Sequence, residues 1–235
     1  MTTNHVTYPP HVSMNSIESA RIVIPSLLRY SRPRSVVDLG CKHGEWLSVF
    51  REHGVERLLG LDQAKRESRV IIDRSEFRTA DLRSSLSLPE RFDLAVCIEV
   101  AEHLPPDSAD PLIETLTTLA PVVMFSGAVQ HQGGHGHLNE QPREYWKEKF
   151  AARGFHCLDC LRPHIWQNPR VAWWYRQNLF LYANDRALDT HPALLAESRR
   201  EVADDVDLYH QAVAKRQSLA FRLRESLSQL RGRAS

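Results

Sequence analysis

The sequence predicts an α/β protein: a mostly parallel sheet with helices on both faces, followed by a C-terminal helical extension. Three observations carry that prediction. Apolar runs of strand length recur along the chain and close on an acid or a glycine. Segments with helical apolar spacing lie between them. The 235 residues suffice for one such domain with a core of its own, plus an extension.

Taken in order, residues 1–14 are polar, with a Pro-Pro pair, and predict a flexible arm, disordered or loosely docked. Residues 15–30 predict a helix leading into the domain. SVVDLG (35–40) is the first buried strand, and EWLSVFREHG (45–54) is a helix closed by Gly54. RLLGLD (57–62) is the second strand, and RVIID (69–73) predicts a short third. FDLAVCIE (92–99) and PVVMFSGA (121–128) are strands separated by the helix PLIETLTTLA (111–120). EYWKEKFAARG (144–154) is an amphipathic helix ending at Gly154, and FHCLDCL (155–161) and NLFLYAN (178–184) are late strands. The predicted domain is therefore 15–185, with the extension over 186–235. In the extension, Val202, Val206, Tyr209, Val213, Ala220, Leu223, Leu227 and Leu230 recur at heptad-like steps, with Arg216 in the one polar slot. Two readings fit that stripe equally: a long helix packed on its own domain, or a helix that forms a homodimer.

Composition sets outer bounds. A formal net charge of +1 argues against nucleic acid as a partner at the level of the whole chain. No apolar run is long enough to span a bilayer, and the N-terminus lacks the basic and apolar regions of a signal peptide. The four cysteines, two of them at strand positions, read as reduced thiols. Together these predict a cytoplasmic protein without a membrane partner.

In open sheets of this class, ligands sit beyond the carboxyl ends of the strands. The first strand ends Asp38-Leu39-Gly40-Cys41-Lys42-His43-Gly44-Glu45-Trp46. Gly40 accommodates a backbone geometry that a side chain forbids, and Gly44 lets a ligand approach the helix N-terminus. Asp62 ends the next strand, where a carboxylate can accept hydrogen bonds from both ribose hydroxyls of an adenosine cofactor. A dinucleotide would call for G-x-G-x-x-G, but position 42 is Lys and the spacing is Gly40-x-x-x-Gly44.

DLGCKHGEW resembles motif I of class I S-adenosylmethionine (SAM)-dependent methyltransferases. Asp62 matches their ribose-binding acid, Asp81-Leu82 their acid–apolar pair beside the adenine, and FDLAVCIEVAEHL their fourth motif. The stretches GGHGHLNEQPREYWKEKFAARGF and RPHIWQNPRVAWWYRQNLFLY are similar to bacterial methyltransferases linked to glycan or natural-product tailoring. The resemblance covers roughly residues 15–185. It implies a Rossmann-like sheet, SAM as cofactor, and a cofactor site of Asp38, Gly40, Cys41, Gly44, Trp46, Asp62, Asp81, Leu82 and Glu99. Lys42 stands where the family usually has glycine. It reads either as a solvent-pointing lysine or as a partner for the cofactor carboxylate.

On the acceptor side, Glu99, Glu102 and His103 follow the fourth strand. If that segment turns helical, they share one face. His131, His135 and His137 follow the fifth strand. One reading is a divalent metal, Mg²⁺, Mn²⁺, Fe²⁺ or Co²⁺, held by Glu99, Glu102, His103 and His137 to acidify an acceptor hydroxyl. Small-RNA 3′-terminal 2′-O-methyltransferases carry a similar Glu-x-x-Glu-His plus a later His as ligands. The competing reading makes His103 or His137 a general base without metal, with Glu99 beside it. Cys157-x-x-Cys160 has no second pair at zinc spacing and reads as strand packing. Asn139, Glu140, Gln141, Tyr145 and Trp146, and the stretch Trp166, Trp173, Trp174, Tyr175 and Gln177, line an acceptor pocket or pack the core. The functions left standing are O-methylation of a small-molecule natural product or sugar, RNA 3′-terminal ribose 2′-O-methylation, and a non-catalytic SAM-fold module.

Overall fold

The computed structural model describes residues 9–63 and 68–200. A seven-stranded sheet has the order β3-β2-β1-β4-β5-β7-β6. The strands are β1 (Ser35–Leu39), β2 (Arg57–Asp62), β3 (Phe77–Thr79), β4 (Leu94–Ile98), β5 (Val122–Ser126), β6 (Phe155–Leu158) and β7 (Phe180–Asn184). The first five run parallel, while β7 is antiparallel to both β5 and β6. The order reverses between β1 and β4, and in sheets of this class ligands bind beyond the carboxyl ends of the strands at such a point.

The period-2 alternation of the strands divides the core. Val36, Leu58, Val96, Met124 and Leu181 face α1 (Met14–Leu27) and α2 (Glu45–Glu52). On that side also lie α5 (Arg162–Ile165), α6 (Trp173–Asn178), α7 (Asp185–Thr190) and α8 (Pro192–Ser198). Val37, Leu59, Ala95, Val123 and Tyr182 face α3 (Ala109–Leu119) and α4 (Arg143–Ala151) on the other side. Every residue of β1 is buried, because it lies mid-sheet with helices on both faces. Leu188 and Leu194, from the start of the predicted extension, are buried in the first of these cores. The heptad-like stripe from Val202 onward lies outside the described residues.

The expectation for the third strand changes. RVIID is not a strand. Ile71 N–H donates to His43 O at 2.8 Å, and Ile72 is buried against the loop after β1, so this segment braces that loop. The third strand comes later, at Phe77–Thr79, preceded by a single helical turn capped by Asp73 and Glu76. The arm is docked from Pro9 onward: Val12 is buried, and a His11 ring nitrogen is 2.9 Å from Arg69 O. The four cysteines are unpaired thiols, as expected. Among the described residues, no helix is long and apolar enough to cross a membrane.

Gly60 in β2 sets the floor under the loop after β1. A Cβ there would lie 2.6 Å from Cys41 Sγ and 3.2 Å from Ile72 Cδ1. Gly60→Ala is expected to lower the unfolding free energy by about 1–3 kcal/mol through overpacking, measured by urea denaturation. Adding Cys41→Ala should restore part of that loss. An unchanged urea midpoint in the single variant would contradict the tight packing.

Candidate active site

The loop after β1 is wound by left-handed residues. Gly40 (φ 83°), Lys42 (φ 55°) and Gly44 (φ 86°) turn the chain from the strand into α2. Gly40 N–H and Cys41 N–H both donate to Leu61 O, at 2.8 and 3.2 Å, which joins the loop to β2. A side chain at Gly40 would collide with Val100, and a Cβ at Gly44 would lie 2.9 Å from Ile72 Cγ2. Both glycines are thus required by space as well as by conformation.

Asp62 stands across from this loop. Its Oδ2 accepts from Lys42 N–H at 2.7 Å and its Oδ1 from Gln63 N–H at 2.6 Å. Asp38 is buried, and its acid pKa is raised first by burial and then by the Asp62 and Glu45 carboxylates. Glu45 was not among the predicted site residues. It is buried at the first turn of α2 and accepts from Ser13 N–H and His43 N–H, each at 3.1 Å. It thereby fastens the docked arm to the loop. Lys42 keeps its side chain 45% exposed with its ammonium 3.8 Å from Glu45, which favours the solvent-pointing reading.

The remaining predicted cofactor residues divide by position. Cys41 is buried with its sulfur toward Gly60, and burial pushes its thiol pKa up. Trp46 packs edge-on against Tyr175 at 5.4 Å, within the core. Leu82 is buried, while Asp81 is exposed in a 2.6 Å ion pair with Arg83 that holds its carboxyl down at about 2.

The acceptor side begins at the end of β4. Glu99 adopts φ 52°, a conformation that costs a non-glycine residue about 1–3 kcal/mol and clusters at functional sites. Its N–H donates to Ser126 Oγ at 3.0 Å on the adjacent β5. Glu99 therefore precedes the helical turn, which covers only Ala101–His103, and the shared helical face expected for Glu99, Glu102 and His103 does not form. Glu102 and His103 instead meet His137 from the loop after β5, with one ligand atom of each within 4.8 Å of the others. Glu99 is outside that set of three. Its Oε1 accepts from Asn178 Nδ2 at 3.1 Å and its Oε2 from Gln132 Nε2 at 3.4 Å.

Each member of the set is held from behind. Glu102 is fully buried, its carbonyl accepts from Leu138 N–H at 2.7 Å, and its carboxyl group meets the neighbouring Glu99 carboxyl and the backbone N–H groups of Glu102 and Ala128. Burial, and then the neighbouring Glu99 carboxylate, push its acid pKa up to about 10. The His103 Nδ1 lies 3.2 Å from Gly136 O, which makes it the donor, and burial lowers the pKa of the ring. The His137 Nδ1 is 2.7 Å from Glu140 Oε1, an oxygen that also takes Gly133 N–H at 2.6 Å. A side chain at Gly134 would collide with the His137 ring. His131 and His135 are exposed on the same loop and outside the set.

The residue types suit a divalent cation. Two imidazoles fixed through Nδ1 and a buried carboxyl group form a mixed nitrogen and oxygen set. Of the other pocket candidates, Gln141, Trp146 and Gln177 line a small cavity beside Asn178, and several also pack the core. Trp146 is buried against Phe125, Tyr175 hydroxyl lies 3.2 Å from Ser16 Oγ, and Gln177 is buried with its amide 3.2 Å from Asn178 Oδ1.

Residues 18–126 match the profile of a family described as a methyltransferase domain. No curated protein sequence matches the chain. Among solved structures, a small RNA methyltransferase is similar at 15% identity with a TM-score of 0.53, over 79% of this chain. The chain spans only 27% of that protein's length. A magnesium protoporphyrin IX methyltransferase from Synechocystis, with bound S-adenosylhomocysteine, is similar at 15% identity and a TM-score of 0.53, over 75% of this chain and 90% of that one. An O-methyltransferase family protein from Burkholderia thailandensis is similar at 13% identity and a TM-score of 0.51, over 73% of this chain and 57% of that one. The fold shared with these proteins is that of the class I methyltransferases.

The left-handed turn at Lys42 gives a direct test of the loop. Lys42→Gly keeps the N–H that binds Asp62 and removes a strain of about 1–2 kcal/mol. Less the greater freedom of glycine in the unfolded chain, the variant should gain about 0.5–1 kcal/mol in urea denaturation. A loss of stability would contradict the strained turn.

Proposed function

We propose, on the premise that residues 18–126 are a methyltransferase domain of the class I fold, that this protein transfers a methyl group from SAM to a hydroxyl of a small-molecule or sugar acceptor, aided by a divalent metal. The observation that carries the proposal is the Glu102–His103–His137 set beside the crevice into which the cofactor loop opens.

In this reading Asp62 accepts the ribose hydroxyls, exchanging its present backbone donors for them, and the Gly40–Gly44 loop lets the amino-acid end of SAM lie against α2. The acceptor oxygen attacks the methyl carbon in line. The C–O bond forms as the C–S bond breaks, S-adenosylhomocysteine leaves, and the proton of the acceptor hydroxyl passes to solvent. Alignment supplies most of the acceleration, up to about 7–11 kcal/mol for well-oriented reactants. Glu102, His103 and His137 would hold Mg²⁺, Mn²⁺, Fe²⁺ or Co²⁺, which when bound lowers the pKa of an acceptor hydroxyl. The burial of Glu102 beside the Glu99 carboxylate supports this, since two close carboxylates away from water call for a cation or a proton.

A second reading, favoured by the lowered pKa of His103, makes its neutral ring the general base without metal. Its proton acceptor would be Nε2, because Nδ1 faces Gly136 O. Retained turnover in metal-free protein would select this reading. Acceptors remain a class, not a molecule. An RNA 3′-terminal ribose is the alternative class, and binding to RNA that weakens steeply with salt would favour it.

Calorimetric titration of metal-stripped protein with SAM should give one saturable site. Asp62→Ala should weaken it at least about tenfold, the equivalent of 1.4 kcal/mol. A separate heat for Co²⁺ or Mn²⁺, absent in His103→Ala, supports the metal reading. Absence of SAM binding with and without metal would sink the enzyme reading and leave a SAM-fold interaction module.

A further inference from the structure

Two buried amides converge on Glu99 from distant parts of the chain. Asn178 ends α6 just before β7, and Gln132 lies in the loop after β5. The strands β4, β5 and β7 are consecutive in the sheet, so three segments meet at one point beyond it. Asn178 Nδ2 donates to Glu99 Oε1 at 3.1 Å and to Gln132 Oε1 at 2.9 Å. Gln132 Nε2 donates to Glu99 Oε2 at 3.4 Å, and Gln132 Oε1 also accepts from Val129 N–H at 3.2 Å. Asn178 Oδ1 in turn accepts from Gln177 Nε2 at 3.2 Å. Both amides are nearly fully buried. A carboxylate only accepts, so it fixes which way each amide points.

The contrast with Glu102 is informative. Side-chain amides donate to both oxygens of Glu99 and to neither oxygen of Glu102. The chain thus spends two buried amides on Glu99, a residue already held in a left-handed conformation. Strand packing alone calls for neither feature, and a polar network of this kind is costly unless complete. It is also the usual way in which a protein orients the groups around a metal.

We propose that Asn178 and Gln132 are positioning residues, which act through Glu99 by holding its carboxylate in a fixed place beside the Glu102–His103–His137 set. The inference rests on the metal reading of that set. It concerns residues outside the predicted site, and it takes Glu99 as a neighbour of the cation and not as the SAM contact that the resemblance implied.

The test uses the full-length protein with three probes: Co²⁺ alone, followed by its visible absorption; SAM, followed by calorimetry; and the melting temperature. Asn178→Leu and Gln132→Leu should each weaken Co²⁺ binding about 10- to 100-fold, with SAM affinity unchanged. The exchange pair Glu99→Gln with Asn178→Asp rebuilds a donor and an acceptor in the same space. It should recover the melting temperature without recovering Co²⁺ affinity. Unchanged Co²⁺ affinity in both single variants would overturn the proposal. So would a joint fall in Co²⁺ affinity, SAM affinity and melting temperature, which marks a purely structural role, or recovery of Co²⁺ affinity in the exchange pair. Failure of the wild-type protein to bind Co²⁺ would remove the metal reading itself, and this inference with it.

Discussion

The contact of Gly40 with Val100 is the constraint on which the rest of the site depends. Gly40 begins the loop after β1, and Val100 follows Glu99 after β4. No side chain fits between them, so the cofactor loop and the turn that carries Glu102 and His103 pack as one unit. The two strands are neighbours where the sheet order reverses, which is where a crevice must open. In the proposed reaction, the loop that would hold the methyl donor and the turn beside the acceptor are brought together by this one close approach.

Around that contact the sheet supplies rigidity and the loops supply chemistry. The buried strands hold left-handed residues at Gly40, Lys42, Gly44 and Glu99, conformations that an isolated peptide would not keep. Hydrogen bonds then carry the placement outward. Leu61 O ties the cofactor loop to β2, Ser126 ties Glu99 to β5, and Glu140 ties His137 to its own loop. The antiparallel β7 next to β5 brings Asn178 back to the same end of the sheet. The topology thus accounts for residues far apart in sequence acting at one place.

Much of this was legible in the sequence. β1, β2, β4 and β5 appear as apolar runs because they are buried on both faces, and Gly40, which closes β1, marks a real left-handed turn. β3 was not legible, since it is a three-residue edge strand with two exposed side chains, whereas the more apolar RVIID segment braces a loop. The short spacing of Glu102 and His103 pointed to a site, and the loop after β5 delivered one of its three histidines, His137. The Glu99 expectation failed where it assumed a helix directly after the strand. The amides behind Glu99 carry no sequence signal, because they lie 33 and 79 residues away and only the fold brings them near.

The account's central claim is that one crevice holds a SAM-type cofactor on the β1 and β2 loops and a divalent cation on Glu102, His103 and His137. A crystal grown with S-adenosylhomocysteine and Mn²⁺, with data collected for manganese anomalous scattering, tests both halves together. The account predicts the ribose on Asp62 and an anomalous peak among Glu102, His103 and His137. An ordered S-adenosylhomocysteine with no peak at those three residues would contradict the metal half. A cofactor bound elsewhere would contradict the whole.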